Sequence, residues 1–335
     1  MSRLFLLLMI ELFLFKPLVY SQAFQLKVKI EGTKDSVLYL AHYYADKQYI
    51  DDTLTKARPE YYVFSADSVL PAGLYIIAGE KKNRIFEFLI HEDKELVFET
   101  HIDDPVGKMK IKGSKENVLF FDYVRFLNSQ QVVTQNLQKA LKRVETTFPD
   151  SASIYRKQNE EVNRKVQEYM KEMAAGNPGA FLSAFILASR DPDIPEAPML
   201  PNGRQDSTFA YRYYKSHFFE NMPLDDTRLL RTPFYYQRLN YYFTKMVLQH
   251  PDTLIAEANR LIPVAKRKGD SYRFMVWYLT NHTERSEIMG MDAAFVDMVD
   301  KYYATGEMDY WVNATVKENL VKKAKKLRPI LLGKP

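Results

Sequence analysis

The chain has 335 residues, is 46% apolar and 14% aromatic, and carries a formal net charge of +5. This composition excludes intrinsic disorder and supplies apolar mass for two domains or one large one. Cysteine is absent, which excludes a disulfide framework, a thiol nucleophile, thiolate metal ligation and a cysteine-borne lipid anchor.

Arg3 followed by the apolar residues 4–15, interrupted by Glu11, reads as a secretory signal. Val19 and Ser21 supply the small residues of a cleavage site that would leave Gln22 first. Residues 1–21 are therefore expected to be a signal peptide, with the protein periplasmic, or membrane-anchored if the signal is not cleaved. No second apolar run reaches spanning length, so no membrane span is expected after cleavage. The basic excess is spread among almost as many acids, which argues against nucleic acid as a partner.

From Phe24 to Ile111 the dominant period is two. Phe24, Leu26, Val28 and Ile30 alternate with Gln25, Lys27 and Lys29, the pattern of a strand with one buried face. Further extended runs fall at 37–43, 61–64, 74–78, 85–90 and 96–100, and the last two flank His91-Glu92-Asp93-Lys94 like a hairpin. Residues 22–112 are thus expected to form an antiparallel β-sandwich or barrel-like domain.

Helical spacing takes over at Gly113-Ser114, where Ser114 is a suitable N-cap, and continues to Leu327. Pro149 separates two long helices, the second capped by Asp150 or Ser151 and ended by Gly176. Asn177-Pro178 would open the next, and residues 181–188, apolar nearly all round, should lie at the centre of the helical domain. Four prolines between 191 and 201 mark a long loop. Thr232-Pro233 opens another helix, and Thr315 with Glu318 has capping-box spacing for the last. The predicted fold class is α+β, a β-domain over 22–112 and an all-α domain over 113–327, with a linker-like tail over 328–335.

The residues that carry common chemistries do not assemble in the sequence. None of the six histidines lies four residues from another, and there is no Gly-rich phosphate loop and no Gly-x-Ser-x-Gly elbow. The acid pairs Asp51-Asp52, Asp103-Asp104 and Asp225-Asp226 suit turns and strand ends better than a facing carboxylate pair. No catalytic residue, cofactor or metal site is assigned, and the protein is not expected to be an enzyme. Five Asp-Ser/Thr-apolar triplets, Asp35-Ser36-Val37 among them, resemble the O-glycosylation acceptor of some Gram-negative periplasmic proteins, but turn and cap roles are the preferred reading.

Aromatic residues are concentrated in two places. Tyr211, Tyr214, Phe218, Tyr235, Tyr236, Tyr241 and Tyr242 form the candidate interaction surface. A tyrosine joins an apolar ring to a polar tip, so such clusters suit helix packing, a protein partner or a glycan-stacking platform.

Ile50-Asp51-Asp52-Thr53, Tyr62-Val63-Phe64 and Leu70-Pro71-Ala72-Gly73-Leu74-Tyr75 resemble the uncharacterised β-domain preceding thioredoxin-like domains in exported bacterial thiol:disulfide oxidoreductases of the TlpA/ResA type. Arg231-Thr232-Pro233-Phe234-Tyr235, Asn240-Tyr241-Tyr242, Met289-Gly290-Met291-Asp292 and Val299-Asp300-Lys301-Tyr302-Tyr303 resemble the helical domain between them. In such proteins a segment like Leu331-Leu332-Gly333-Lys334-Pro335 leads into the thioredoxin-like domain. The resemblance implies a non-catalytic module that precedes, presents or docks a thioredoxin-like domain or another periplasmic protein. Its redox chemistry does not carry over, since thiol exchange needs a thiolate and this chain has none.

Overall fold

A computed structural model describes residues 23–331 except 58, 59, 145, 147 and 266. The expected signal peptide over 1–21 and the tail residues 332–335 lie outside the described residues. Among the described residues, eight strands are followed by nine α-helices, an α+β architecture.

The strands are β1 (Phe24–Glu31), β2 (Val37–Tyr44), β3 (Lys47–Ala57), β4 (Tyr61–Ala66), β5 (Gly73–Ala78), β6 (Arg84–Ile90), β7 (Glu95–His101) and β8 (Lys110–Lys112). They form one sheet in the order β6-β5-β2-β3-β4-β1-β7-β8. β1 pairs in parallel with β7, from Gln25 opposite Glu95 to Glu31 opposite His101, while every other pairing is antiparallel. The sheet is therefore mixed, which corrects the purely antiparallel expectation. The 91–94 hairpin is corrected with it. That connection carries the chain from β6 at one edge to β7 near the other, and the intervening strands give β1 and β7 the long crossover that parallel neighbours need.

Strands so far apart in the sheet order nevertheless touch. The rings of Phe88 in β6 and Phe98 in β7 lie 4.9 Å apart, and Phe86 lies 5.6 Å from Phe98. The sheet is curled into a half-barrel whose inner face carries these phenylalanines. A bulge between Leu40 and Ala41 leaves Asp51 as the extra residue of β3, since Leu40 faces Asp52 and Ala41 faces Ile50. Asp51 and Asp52 thus lie inside a strand rather than at its end, and Asp51 meets His42 Nδ1 at 2.8 Å.

The helices are α1 (Lys115–Val144), α2 (Pro149–Gly176), α3 (Phe181–Ala188), α4 (Phe209–His217), α5 (Pro233–Tyr241), α6 (Pro251–Leu261), α7 (Asp270–Glu284), α8 (Asp292–Met298) and α9 (Ala314–Leu327). Ser114 caps α1 by accepting from Asn117 N–H at 3.2 Å, as its sequence position predicts. α1 and α2 fold back on one another, with Phe126 and Tyr169 stacked at 3.9 Å. α3 is buried at six of its eight positions, the central location its all-round apolar pattern requires. Three predicted starts shift. Phe148 rather than Asp150 or Ser151 precedes α2, with Pro149 at its first turn, and Asn177-Pro178 forms a turn ahead of α3. Asn313 caps α9 by accepting from Val316 N–H at 2.9 Å, displacing the Thr315–Glu318 capping box.

The two regions share one continuous apolar core. β5 is buried at all six positions. Gly73, on the same face as Tyr75 and Phe88, lets the helical region approach the sheet closely, since a Cβ there would fall 2.5 Å from Arg231 Cβ. Ala45 N–H donates to Leu230 O at 2.8 Å across the same junction. Beyond α9, Ile330 is 72% exposed and Leu331 is partly buried against the core.

Candidate functional site

The aromatic residues singled out in the sequence divide into a buried set and an accessible set. Phe218, Tyr235 and Tyr242 are core residues at 2% exposure or less, which removes them from the candidate interaction surface. The reason is local geometry. α4, α5 and the π-turn Tyr242–Met246 after α5 pack their rings inward on one another: Phe218 meets Tyr242 at 5.4 Å and Tyr235 meets Phe274 of α7 at 6.0 Å. Tyr235 Oη donates to Leu224 O at 2.9 Å, and burial pushes its hydroxyl pKa well up. Tyr236 is half-buried, edge-on to Tyr278.

Tyr211, Tyr214 and Tyr241 remain. Tyr211 is 56% exposed and Tyr241 49%, the latter with one ring face stacked 5.9 Å from Phe218. Tyr214 and Tyr241 line an open groove of about 450 Å³ together with Phe234, Gln237 and Asp191, with Arg238 at its floor. Arg238 is fixed there. Its Nε donates to Ala188 O at 2.7 Å, Nη1 to Phe218 O at 3.3 Å and Nη2 to Arg190 O, while its guanidinium lies 5.3 Å from the Phe218 ring centre. Burial lowers the Arg238 pKa and the Asp191 carboxylate opposes that shift. Tyr214 Oη donates to Asp191 Oδ1 at 3.0 Å, and burial, aided by this carboxylate, pushes the phenol up to about 12.

A second aromatic site was not legible in the sequence. The chain contains two tryptophans, Trp277 in α7 and Trp311 ahead of α9, and both are accessible, at 37% and 42%. They converge. Both line an apolar cleft of about 190 Å³ with Tyr44, Asp46, Lys47, Tyr49 and Phe274, and both line an adjoining cleft of about 420 Å³ with Thr280, Asn281, Glu284 and Asn313. The scarcity of tryptophan was the available signal, but residues 34 positions apart give no hint that they meet.

The histidines take separate roles. His42 pairs with Asp51, and His91 lies 3.6 Å from Glu116 and 3.3 Å from Arg228 Nη1. Among the described residues no group of three or more His, Asp or Glu is placed to hold a metal ion, and no helix is long and apolar enough to cross a membrane.

A family model described as a domain of unknown function (DUF5106) matches residues 152–326, just over half of the chain. No curated protein matches the chain, and no solved structure does. The matched span runs from α2 to the end of α9, so the tyrosine groove lies wholly within it, whereas the tryptophan cleft also draws residues from β2 and β3.

Proposed function

The chain belongs to the DUF5106 family, and from that premise we propose that it is a non-catalytic module of the periplasm, exported by its signal peptide, that docks a protein partner through the tyrosine groove. A thioredoxin-like domain is the first candidate partner. The observation that supports this reading is the placing of half-buried Tyr214 and exposed Tyr241 around a groove floored by a fixed arginine. Tyrosine and arginine are enriched among the residues that dominate binding energy at protein interfaces, tyrosine because it joins a large rigid ring to a hydrogen-bonding tip and arginine because its planar guanidinium offers several donors. The absence of cysteine gives such a module no part of its own in thiol exchange, so any redox chemistry would belong to the partner.

The test is titration of a purified thioredoxin-like domain encoded by the same genome into the mature chain, read by calorimetry. Saturable binding is expected, weakened at least about tenfold in a Tyr214→Ser/Tyr241→Ser double variant. Absence of binding, or equal affinity in the double variant, would overturn the reading.

A further inference from the structure

We propose that the paired clefts around Trp277 and Trp311 form a binding site for a neutral oligosaccharide. The argument begins with the exposure of both tryptophans. A large indole left 37% or 42% accessible forgoes much of the stabilisation its burial would give, and two of them lining one depression give it an aromatic wall. A sugar ring offers C–H groups on its faces for such stacking and hydroxyls around its rim for hydrogen bonds.

The lining supplies both kinds of contact. Tyr44, Tyr49 and Phe274 extend the aromatic wall of the smaller cleft. In the larger one the Asn281 amide donates to Trp277 O and keeps its Oδ1 available, and Asn313 accepts from Val316 N–H through Oδ1 and keeps its Nδ2 available. Two adjoining compartments divided by shared tryptophans suit linked rings rather than a single one.

The charges favour a neutral ligand. Glu284 pairs with Lys323 at 2.9 Å, Arg273, whose guanidinium lies 5.9 Å from the Trp311 ring, is paired with Asp270, and Asp46 stands beside Lys47. No single sign prevails to recruit an ion. This inference does not rest on the docking role of the tyrosine groove, which is built from other residues.

Because the chain has two tryptophans and both line this site, tryptophan emission, excited selectively over the tyrosines, reports on this site. The probes are cellotetraose, maltotetraose and chitotetraose, titrated separately into the mature chain. A saturable change in tryptophan emission is expected with at least one of them. Trp311→Ala should weaken that binding at least tenfold by calorimetry, Trp311→Phe should restore part of it, and Tyr211→Ser should leave it unchanged. Circular dichroism confirms that each variant is folded, and an unfolded Trp311→Ala is replaced by Asn313→Ala, for which a loss of at least threefold is expected. No saturable response to any of the three sugars overturns the proposal. So does equal affinity in the Trp311 or Asn313 variants, or a response that appears only with a purified thioredoxin-like domain.

Discussion

Asn117 meets the backbone of Leu89 with both arms of its amide: Nδ2 donates to Leu89 O and Oδ1 accepts from Leu89 N–H, each at 2.8 Å. Leu89 lies in β6, an edge of the sheet, and these two backbone groups point away from its β5 neighbour Leu74. An edge strand with unpaired amides is a template for unwanted pairing. A single side chain from the first turn of α1 takes the place of the missing strand, held in turn by Ser114 Oγ at 3.1 Å. One ring further along, Phe121 of α1 lies against both Phe86 and Phe98, so the helix plugs the open side of the half-barrel.

Asn117→Ala should therefore cost about 3 kcal/mol, because it strands a buried N–H and a buried C=O at about 1–3 kcal/mol each. Asn117→Asp should cost at least as much at pH 7, since it loses the donor and buries a charge. Urea denaturation gives both values. A loss below about 1 kcal/mol for the alanine variant would mean that water or a shifted side chain takes over both groups.

Much of this fold is legible in the sequence wherever burial is one-sided. β1 shows Phe24, Leu26, Val28 and Ile30 buried in strict alternation, as its pattern implies. β3 is not legible. From Lys47 to Lys56 only Leu54 is buried, so the strand is held by backbone pairing to β2 and β4 and leaves no period in hydropathy. The partner of β7 is equally hidden, because a short link after β6 looks the same whether the chain turns back or crosses the sheet. The tyrosine-rich helices show a third limit. Composition marks them as unusual, but whether a ring faces in or out depends on neighbours, as Tyr241 and Tyr242 demonstrate at adjacent positions with 49% and 1% exposure.

That split is testable residue by residue. Phe218→Ala should cost about 3–5 kcal/mol as a core truncation. Tyr235→Phe should cost about 1 kcal/mol for the bond to Leu224 O. Tyr211→Ser should stay within about 0.5 kcal/mol of the parent, as surface changes do. A loss near that of Phe218→Ala at Tyr211 would show the ring to be part of the core.

His282 makes stability depend on pH. It lies on α7, stacked on Tyr278 at 5.8 Å, and burial lowers its pKa below the ordinary value of 6.5. Above that value neither state carries the proton, and stability is fully present. As pH falls from 6.5 through the lowered folded-state pKa, the unfolded chain binds the proton more readily and stability is lost. His282→Phe keeps a stacked ring and should flatten the decline of unfolding free energy between pH 7 and pH 5. Identical slopes for parent and variant would assign that decline to other groups.

Arg238 gives the sharpest test of how the tyrosine groove is built. Three of its nitrogens reach three separate carbonyls, of Ala188, Phe218 and Arg190, and so tie the end of α3 and the end of α4 to α5. A lysine has the charge but a single nitrogen, and it cannot serve three carbonyls spread around a planar fork. Arg238→Lys should thus fail to preserve stability, losing about 2–4 kcal/mol through carbonyls left without donors. Arg238→Met, which fills similar volume without burying a charge, should cost a comparable amount by stranding the same carbonyls. Thermal unfolding of the two variants measures this directly. Near-parental stability in Arg238→Lys would show that charge alone matters at the groove floor, and that the three carbonyl contacts do not set its shape.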